Sequence, residues 1–288
     1  MRVTQGMLSN NMLHNLSNSY SKMGTIMDQL NTGKKINRPS DDPVIAMKGM
    51  NYRSQVTEIE QFKRNTNEVH NWMDNSDAAL DKATQAMQRL RELAVKASNG
   101  TNDTEELASI KEEVTQLKEH LKDIAGTEVN GKYIFNGTNT DVPPEVDLIE
   151  GTFEGESPDV KIEVSDGTKL TANVSGEEVF GDLFGTINDL ESALEGDGDI
   201  AANIKSIDDD INGIINARAD LGARMNRLEL IENRLDEQEV IATSMMSKNE
   251  DVDYSKAITE LITQESLHRA ALSAGSRIIQ PSLMDFLR

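Results

Sequence analysis

Apolar residues recur at heptad spacing over most of the chain, and the pattern is clearest at its two ends. Near the start Leu13, Leu16, Tyr20, Met23, Met27 and Leu30 follow one another at steps of 3, 4, 3, 4 and 3, which puts all six on one face of a helix. The other end carries Tyr254, Ile258, Leu261, Ile262, Leu267, Leu272, Ile278 and Ile279. A helix that is apolar on one side must bury that side against something. Neither end has a core of its own, so the two ends are expected to pair with each other and with copies of neighbouring subunits.

Between the ends the helical period continues. Asn31-Thr32-Gly33 closes the first stripe, and Arg38-Pro39-Ser40-Asp41-Asp42-Pro43 is rich in turn formers. Pro43 suits a first helical turn with Asp42 or Asp41 as its cap. From there Val69, Met73, Ser76, Leu80, Ala83, Met87, Leu90, Ala94 and Ala97 keep a regular 4, 3 alternation until Asn99-Gly100. A third helix carries Leu107, Ile110, Val114, Leu117, Leu121 and Ile124 and stops at Gly126, with Thr104 expected as its cap. Helix resumes near Ile200, with a seam of Ile204, Ile207, Ile211, Ile214, Leu221, Met225, Leu228, Leu235, Ala242 and Met246. Arg218, Glu232 and Glu239 also occupy heptad slots there and are expected to weaken it.

The period changes in the middle. Gly131 to Gly137 reads as a short strand between two Gly-linked turns, Val160 to Val164 alternates at period two, and Asp166-Gly167 signals a hairpin with Leu170 to Val174 returning. Three segments follow. Residues 1–40 and 250–288 are terminal helices, 41–135 and 200–249 a helical middle, and 136–199 a small β-rich insert. The expected fold is mainly α, a long antiparallel coiled-coil rod with a small β-containing insert domain.

Composition narrows the function. The formal net charge is −21 over 288 residues, which argues against nucleic acid and against an anionic membrane surface as partners. The acid concentrates in the insert, where 141–200 holds 17 Asp and Glu against only Lys161 and Lys169. Aromatics are 4% of residues, so Leu, Ile, Ala and 13 Met do the packing, which suits slender seams. There is no Cys, hence no disulfide framework. The first 25 residues lack the apolar core of a secretory signal, and no apolar run reaches the ~18–20 residues of a membrane span.

No catalytic group, cofactor site or metal site is expected. Gly126 to Lys132 has the spacing of a phosphate-binding loop, but Tyr133 stands where Ser or Thr should hold Mg²⁺, and a helix precedes it where a strand should. Glu195, Asp197 and Asp199 resemble the start of a calcium loop, yet Ile200 and Ser206 replace its Gly and its bidentate Glu. His14, His70, His120 and His268 are scattered without second ligands.

Four blocks in order resemble the flagellin superfamily, the axial proteins of the bacterial flagellum. They are Leu30-Asn31-Thr32-Gly33-Lys34-Lys35-Ile36-Asn37 with Asp41-Asp42, and Gln88 to Val95 with Asn99-Gly100-Thr101. Arg218-Ala219-Asp220-Leu221-Gly222-Ala223 with Asn226-Arg227 and the tail Leu283 to Arg288 complete the set. The start Met1 to Leu8, the Arg38 to Pro43 loop and the ending Ser282 to Arg288 resemble most the members that join hook to filament. Filament flagellin is the alternative within the family, and a secreted coiled-coil effector or adhesin the alternative outside it.

The resemblance implies a secreted, extracellular structural protein with no enzymatic activity, exported unfolded through the flagellar type III apparatus. Its ends would be disordered in the monomer and become a coiled-coil inner layer on assembly. Implied partners are hook-associated protein 1, flagellin, further copies of the chain in a ring at the hook tip, and an export chaperone before secretion. Inter-subunit packing would then fall to Leu13, Leu16, Tyr20, Met23, Met27, Leu30, Ile258, Leu261, Ile262, Leu272, Leu283 and Leu287. The seam of the helical middle would be Met73, Leu80, Met87, Leu90, Leu107, Ile110, Val114, Leu117, Leu121, Leu221, Met225 and Leu228.

Overall fold

The long helices begin where polar caps allow them to. In the computed structural model, which describes residues 5–99, 103–154, 158–196 and 198–279, the Asp42 carboxylate accepts from the backbone N–H of Val44 at 2.9 Å and of Ile45 at 3.1 Å. Pro43 therefore opens a helix whose free amides are satisfied. Asp41 folds back instead, and its Oδ2 accepts from the N–H groups of Asn37 and Arg38. The adjacent acids thus have separate tasks: one closes the turn and the other caps the helix.

Among the described residues, seven helices and three antiparallel hairpins follow in the order α1 (Gln5–Thr32), α2 (Pro43–Ser98), α3 (Thr104–Ala125), β1 (Glu128–Val129), β2 (Lys132–Tyr133), β3 (Glu145–Asp147), β4 (Thr152–Glu154), β5 (Lys161–Ser165), β6 (Thr168–Thr171), α4 (Gly176–Phe180), α5 (Leu183–Glu195), α6 (Ile200–Glu250) and α7 (Tyr254–Ile279). The fold is mainly α: about 75% of the described residues are helical, and the sheets among them are small and antiparallel. Helix α3 starts at Thr104 itself, so the flanking residue is Asp103, one position earlier than the sequence suggests. Its carbonyl accepts from Glu106 and Leu107.

The chain divides into two units, residues 1–58 with 239–288 and residues 59–238. In the second unit the heptad residues form the core. Val69, Met73, Leu80, Met87, Leu90, Val114, Leu121, Leu221 and Leu228 have no exposed surface, each contributing about 2 kcal/mol of burial. Arg218 does not weaken this seam. Its guanidinium donates to Asp77 Oδ1 at 2.9 Å and to Asp81 Oδ1 at 2.8 Å, joining α6 to α2.

The insert is more helical than its period-two segments suggest. Hairpins β3–β4 and β5–β6 pair Val146 with Phe153 and Ile162 with Leu170, and the short helices α4 and α5 pack beside them. Phe135 and Phe180 meet edge to face at 5.2 Å between ring centres, and Phe153 lies 5.8 Å from Phe180. Such aromatic contacts supply a compact core from few residues. Gly151, at φ +73°, lets the β3–β4 turn approach α5: a Cβ there would lie 2.8 Å from Gly185 Cα.

Three helices hold the insert. Asn65 Nδ2 of α2 donates to the Glu163 carbonyl at 2.8 Å, and Arg224 of α6 to the Asn173 carbonyl at 3.0 Å. From α3, Lys118 Nζ donates to Glu191 Oε2 at 2.8 Å and to Asn188 Oδ1, while Thr115 Oγ1 donates to Glu191 Oε1 at 2.8 Å. Asn188 passes the connection on, donating to the Ile149 carbonyl in the β3–β4 turn. Lys118 is buried, and this network satisfies its charge.

Candidate assembly surface

The terminal unit is where the apolar stripes meet. Helices α1 and α7 run antiparallel against each other. On α1 the face turned towards α7 is Met12, Leu16, Ser19, Met23, Ile26 and Leu30, all buried or half-buried. On α7 the matching face is Ala257, Leu261, Gln264, His268, Ala271 and Gly275. Both rows keep a 4, 3 alternation, the signature of a knobs-into-holes seam. Met12 lies over Gly275 so closely that a Cβ on the glycine would collide with its methyl. The ring of His268 sits 6.1 Å from that of Tyr20.

The six-residue stripe read from the sequence therefore splits in two. Leu16, Met23 and Leu30 face α7, while Leu13, Tyr20 and Met27 are 54%, 67% and 54% exposed. Those three sit seven residues apart and form a second row. Helix α7 divides likewise: Leu261 is half-buried, whereas Ile258, Ile262 and Leu272 stay exposed. Leu283 and Leu287 lie outside the described residues. Within the described residues α1 and α7 are helical along their length. The physical reason is that each supplies the other with one apolar partner.

A polar knot ties this pair to the helices beside it. Lys34 and Asp251 form an antiparallel bridge, with Lys35 N–H donating to the Glu250 carbonyl at 2.7 Å and Val252 N–H to the Gly33 carbonyl at 2.9 Å. Lys34 Nζ lies 2.7 Å from Asp251 Oδ1 and 3.4 Å from Glu250 Oε2. Arg53 adds a contact to the same Glu250 oxygen at 2.7 Å, and Asn249 Nδ2 donates to the Ile45 carbonyl. Burial pushes the Glu250 carboxyl up, but Arg53 and Lys34 together hold it below its ordinary range. Asp251 is lowered by Lys34 and then by Ser247, and the Lys34 ammonium is raised in turn, chiefly by Asp251. The Lys34 and Lys35 part of this knot sits in the Leu30 to Asn37 block. The sequence shows that block as a motif without showing its partner.

The expected seam residues of the middle lie in the second unit. Met73, Leu80, Met87, Leu90, Ile110, Val114, Leu121, Leu221 and Leu228 are buried, and Leu107, Leu117 and Met225 are half-buried against them. Core residues that sequence reasoning missed are Phe180, Leu183, Phe184, Ile187 and Leu190 of α4 and α5, whose 3 and 4 spacing was available to be read. Among the described residues no group of three or more His, Asp and Glu is placed to hold a metal ion, and no helix is long and apolar enough to cross a membrane.

Comparison with known proteins places this architecture. The bacterial flagellin N-terminal helical region matches residues 3–140 and the bacterial flagellin C-terminal helical region matches residues 204–287. Flagellar hook-associated protein 3 of Escherichia coli K12 is 24% identical over 95% of this chain and 96% of its own length. Flagellin of Bacillus subtilis 168 is 29% identical over 94% of each chain. The crystal structure of Bacillus cereus FlgL has a TM-score of 0.60 at 24% identity, covering 68% of this chain and 99% of that one, a likeness of fold. With both helical regions matched in order around the insert, the chain belongs to the flagellin family, structural proteins of the bacterial flagellum.

Proposed function

We propose that this chain is an axial flagellar subunit that joins hook to filament. The observation that carries the reading is the second apolar row left over once α1 and α7 have paired: Leu13, Tyr20 and Met27 on one helix, and Ile258, Ile262 and Leu272 on the other. Exposed rows at heptad spacing on a paired coiled coil are suited to taking further helices. In this reading residues 1–40 and 250–288 build the inner layer from several copies, Leu283 and Leu287 extending its apolar surface. Residues 41–135 and 200–249 form the layer around it, and the acidic insert 136–199 faces solvent.

The partners follow from the role: hook-associated protein 1 on one side, flagellin on the other, and further copies around the ring. Before export a chaperone would cover the C-terminal helix, whose apolar row is otherwise free to aggregate. A chain without cysteine suits passage as an unfolded thread to the cell exterior. The second reading, filament flagellin, rests on the 29% identity to a flagellin over nearly the whole length.

Deletion of the gene in its own host separates the two. A junction subunit leaves hooks without filaments and flagellin shed into the medium, seen by electron microscopy and by blotting the supernatant. Filaments grown from the purified chain alone would overturn the junction reading in favour of filament flagellin.

A further inference from the structure

Among the described residues the exposed methionines all fall in one unit, where Met12, Met23 and Met246 are half-buried. Met7, Met27, Met47, Met50 and Met245 are exposed, from 48% at Met245 to 60% at Met7, and all five lie in the terminal unit. In the other unit Met73 and Met87 have no exposed surface, and Met225 is half-buried in the core. The exposed thioethers also have company. Met27 continues the Leu13–Tyr20 row of α1, Met47 and Met50 share the start of α2 with exposed Val44, and Met245 lies near exposed Ile241 on α6.

Methionine oxidation is governed by access, and its product is polar. A thioether sulfur attacks hydrogen peroxide, taking one oxygen and releasing water; the sulfur is oxidised by two electrons and the peroxide reduced by two. The sulfoxide places a strong acceptor where an apolar surface stood, so a face that must be dehydrated on assembly no longer favours it.

We propose that the exposed methionines of the terminal unit are a peroxide-modification site, and that their conversion to sulfoxides stops the chain from joining its neighbours while leaving its core intact. The proposal rests on the reading of the terminal unit as the assembly surface. Oxidant reaches Met7, Met27, Met47, Met50 and Met245 before assembly and is shut out of Met73 and Met87 by packing. The modification is reversible by methionine sulfoxide reductases, so the block is a state that a cell can relieve.

The test uses the purified full-length chain, hydrogen peroxide, and hooks isolated from the host lacking this gene. Peptide mass spectrometry is expected to find sulfoxide at the five exposed positions with Met73 and Met87 unmodified, and an unchanged helical circular dichroism signal. Co-sedimentation of the oxidised chain with hooks is expected to fall about tenfold, since several apolar contacts are lost together. Treatment with the two reductases restores it. A Met7→Leu, Met27→Leu, Met47→Leu, Met50→Leu, Met245→Leu variant keeps the apolar bulk, and peroxide is expected to leave that variant's own level of hook binding, whatever it is, unchanged. Oxidation of Met73 and Met87 as fast as the exposed five, or undiminished hook binding by the oxidised chain, would overturn the proposal. Failure of the untreated chain to bind hooks would instead overturn the assembly reading beneath it.

Discussion

Arg53 reaches Glu250 at 2.7 Å, so the second helix is pinned to the last residue of the sixth, 197 positions along the chain. Lys34 meets the same carboxylate from the α1–α2 connection at 3.4 Å. One buried acid thus gathers two basic groups that both lie far from it in the sequence. The bridge between Lys34 and Asp251 adds backbone hydrogen bonds to the same place. This convergence fixes where α1 leaves and where α7 begins, and so sets the register of the terminal pair.

Removing that charge should loosen the knot without dissolving it. Glu250→Gln keeps the shape and is expected to cost about 1 kcal/mol, a small figure because Lys34 and Arg53 are partly exposed and screened. The pH dependence has a definite sign. The folded Glu250 carboxyl lies below its ordinary value of 4.5, so its contribution is complete above that value and is lost as pH falls through the depressed one. The raised Lys34 ammonium contributes below its ordinary 10.5 and fades only as pH rises beyond it. Amide exchange at Lys35 and Val252 should therefore be faster in the variant near neutral pH and match the wild type in strong acid. An equal gap at both pH values would contradict this assignment.

The contact between α3 and α5 is more enclosed, and its disruption should be costlier. Lys118→Met leaves Glu191 without its cation in a poorly solvated place and is expected to cost about 3 kcal/mol. The double change Lys118→Met with Glu191→Leu removes both charges and should return to within about 1 kcal/mol of the wild type. Amide exchange along α5 reports the difference locally. If the double variant were as weak as the single one, the network would matter for its hydrogen bonds to Asn188 and Thr115 more than for its charge.

Asp210 is an acid in an unfavourable setting. Burial raises its carboxyl above the ordinary 3.8, Thr186 pulls the other way, and Asp182 and Asp209 add like charge. Asp210→Asn should therefore stabilise the chain at neutral pH by up to about 1 kcal/mol, the figure being limited by the part of the site open to water. A raised acid penalises the fold only where it is ionised. The advantage of Asn is thus full above the raised value and vanishes below 3.8, where wild-type Asp is protonated in both states. Thermal melts at neutral and acid pH measure both halves of the claim.

Heptad spacing announced the long helices because each buries one face against a partner of the same period. The rows of Met73 to Leu90 and Leu107 to Leu121 lie where that spacing puts them. Which of two adjacent rows turns inward was not legible at the ends. Leu13 and Met12 are neighbours on one helix, and it is Met12 that lies against Gly275 across the seam, where a larger residue would collide with it. Arg218 looked like a defect because its partners Asp77 and Asp81 lie more than 130 residues away. Helices α4 and α5 escaped notice for another reason. Gly181 and Gly185 interrupt a short segment whose pattern Phe180, Leu183, Phe184, Ile187, Leu190 is helical all the same.

The split of the first stripe yields the sharpest contrast. Leu13 is exposed and Leu16 faces α7, although they are one turn apart. Leu13→Asp should leave the monomer within about 0.5 kcal/mol of the wild type, as surface changes do. Its loss should appear only in co-sedimentation with hooks, where a carboxylate must be dehydrated against a neighbour. Leu16→Ala should do the reverse in part, weakening the α1–α7 pair by about 1–2 kcal/mol through lost burial. Faster amide exchange along α7 would report that loss in the isolated chain. If Leu13→Asp also accelerated exchange in α7, the outer row would belong to the monomer's own packing and could not be the surface that receives other subunits.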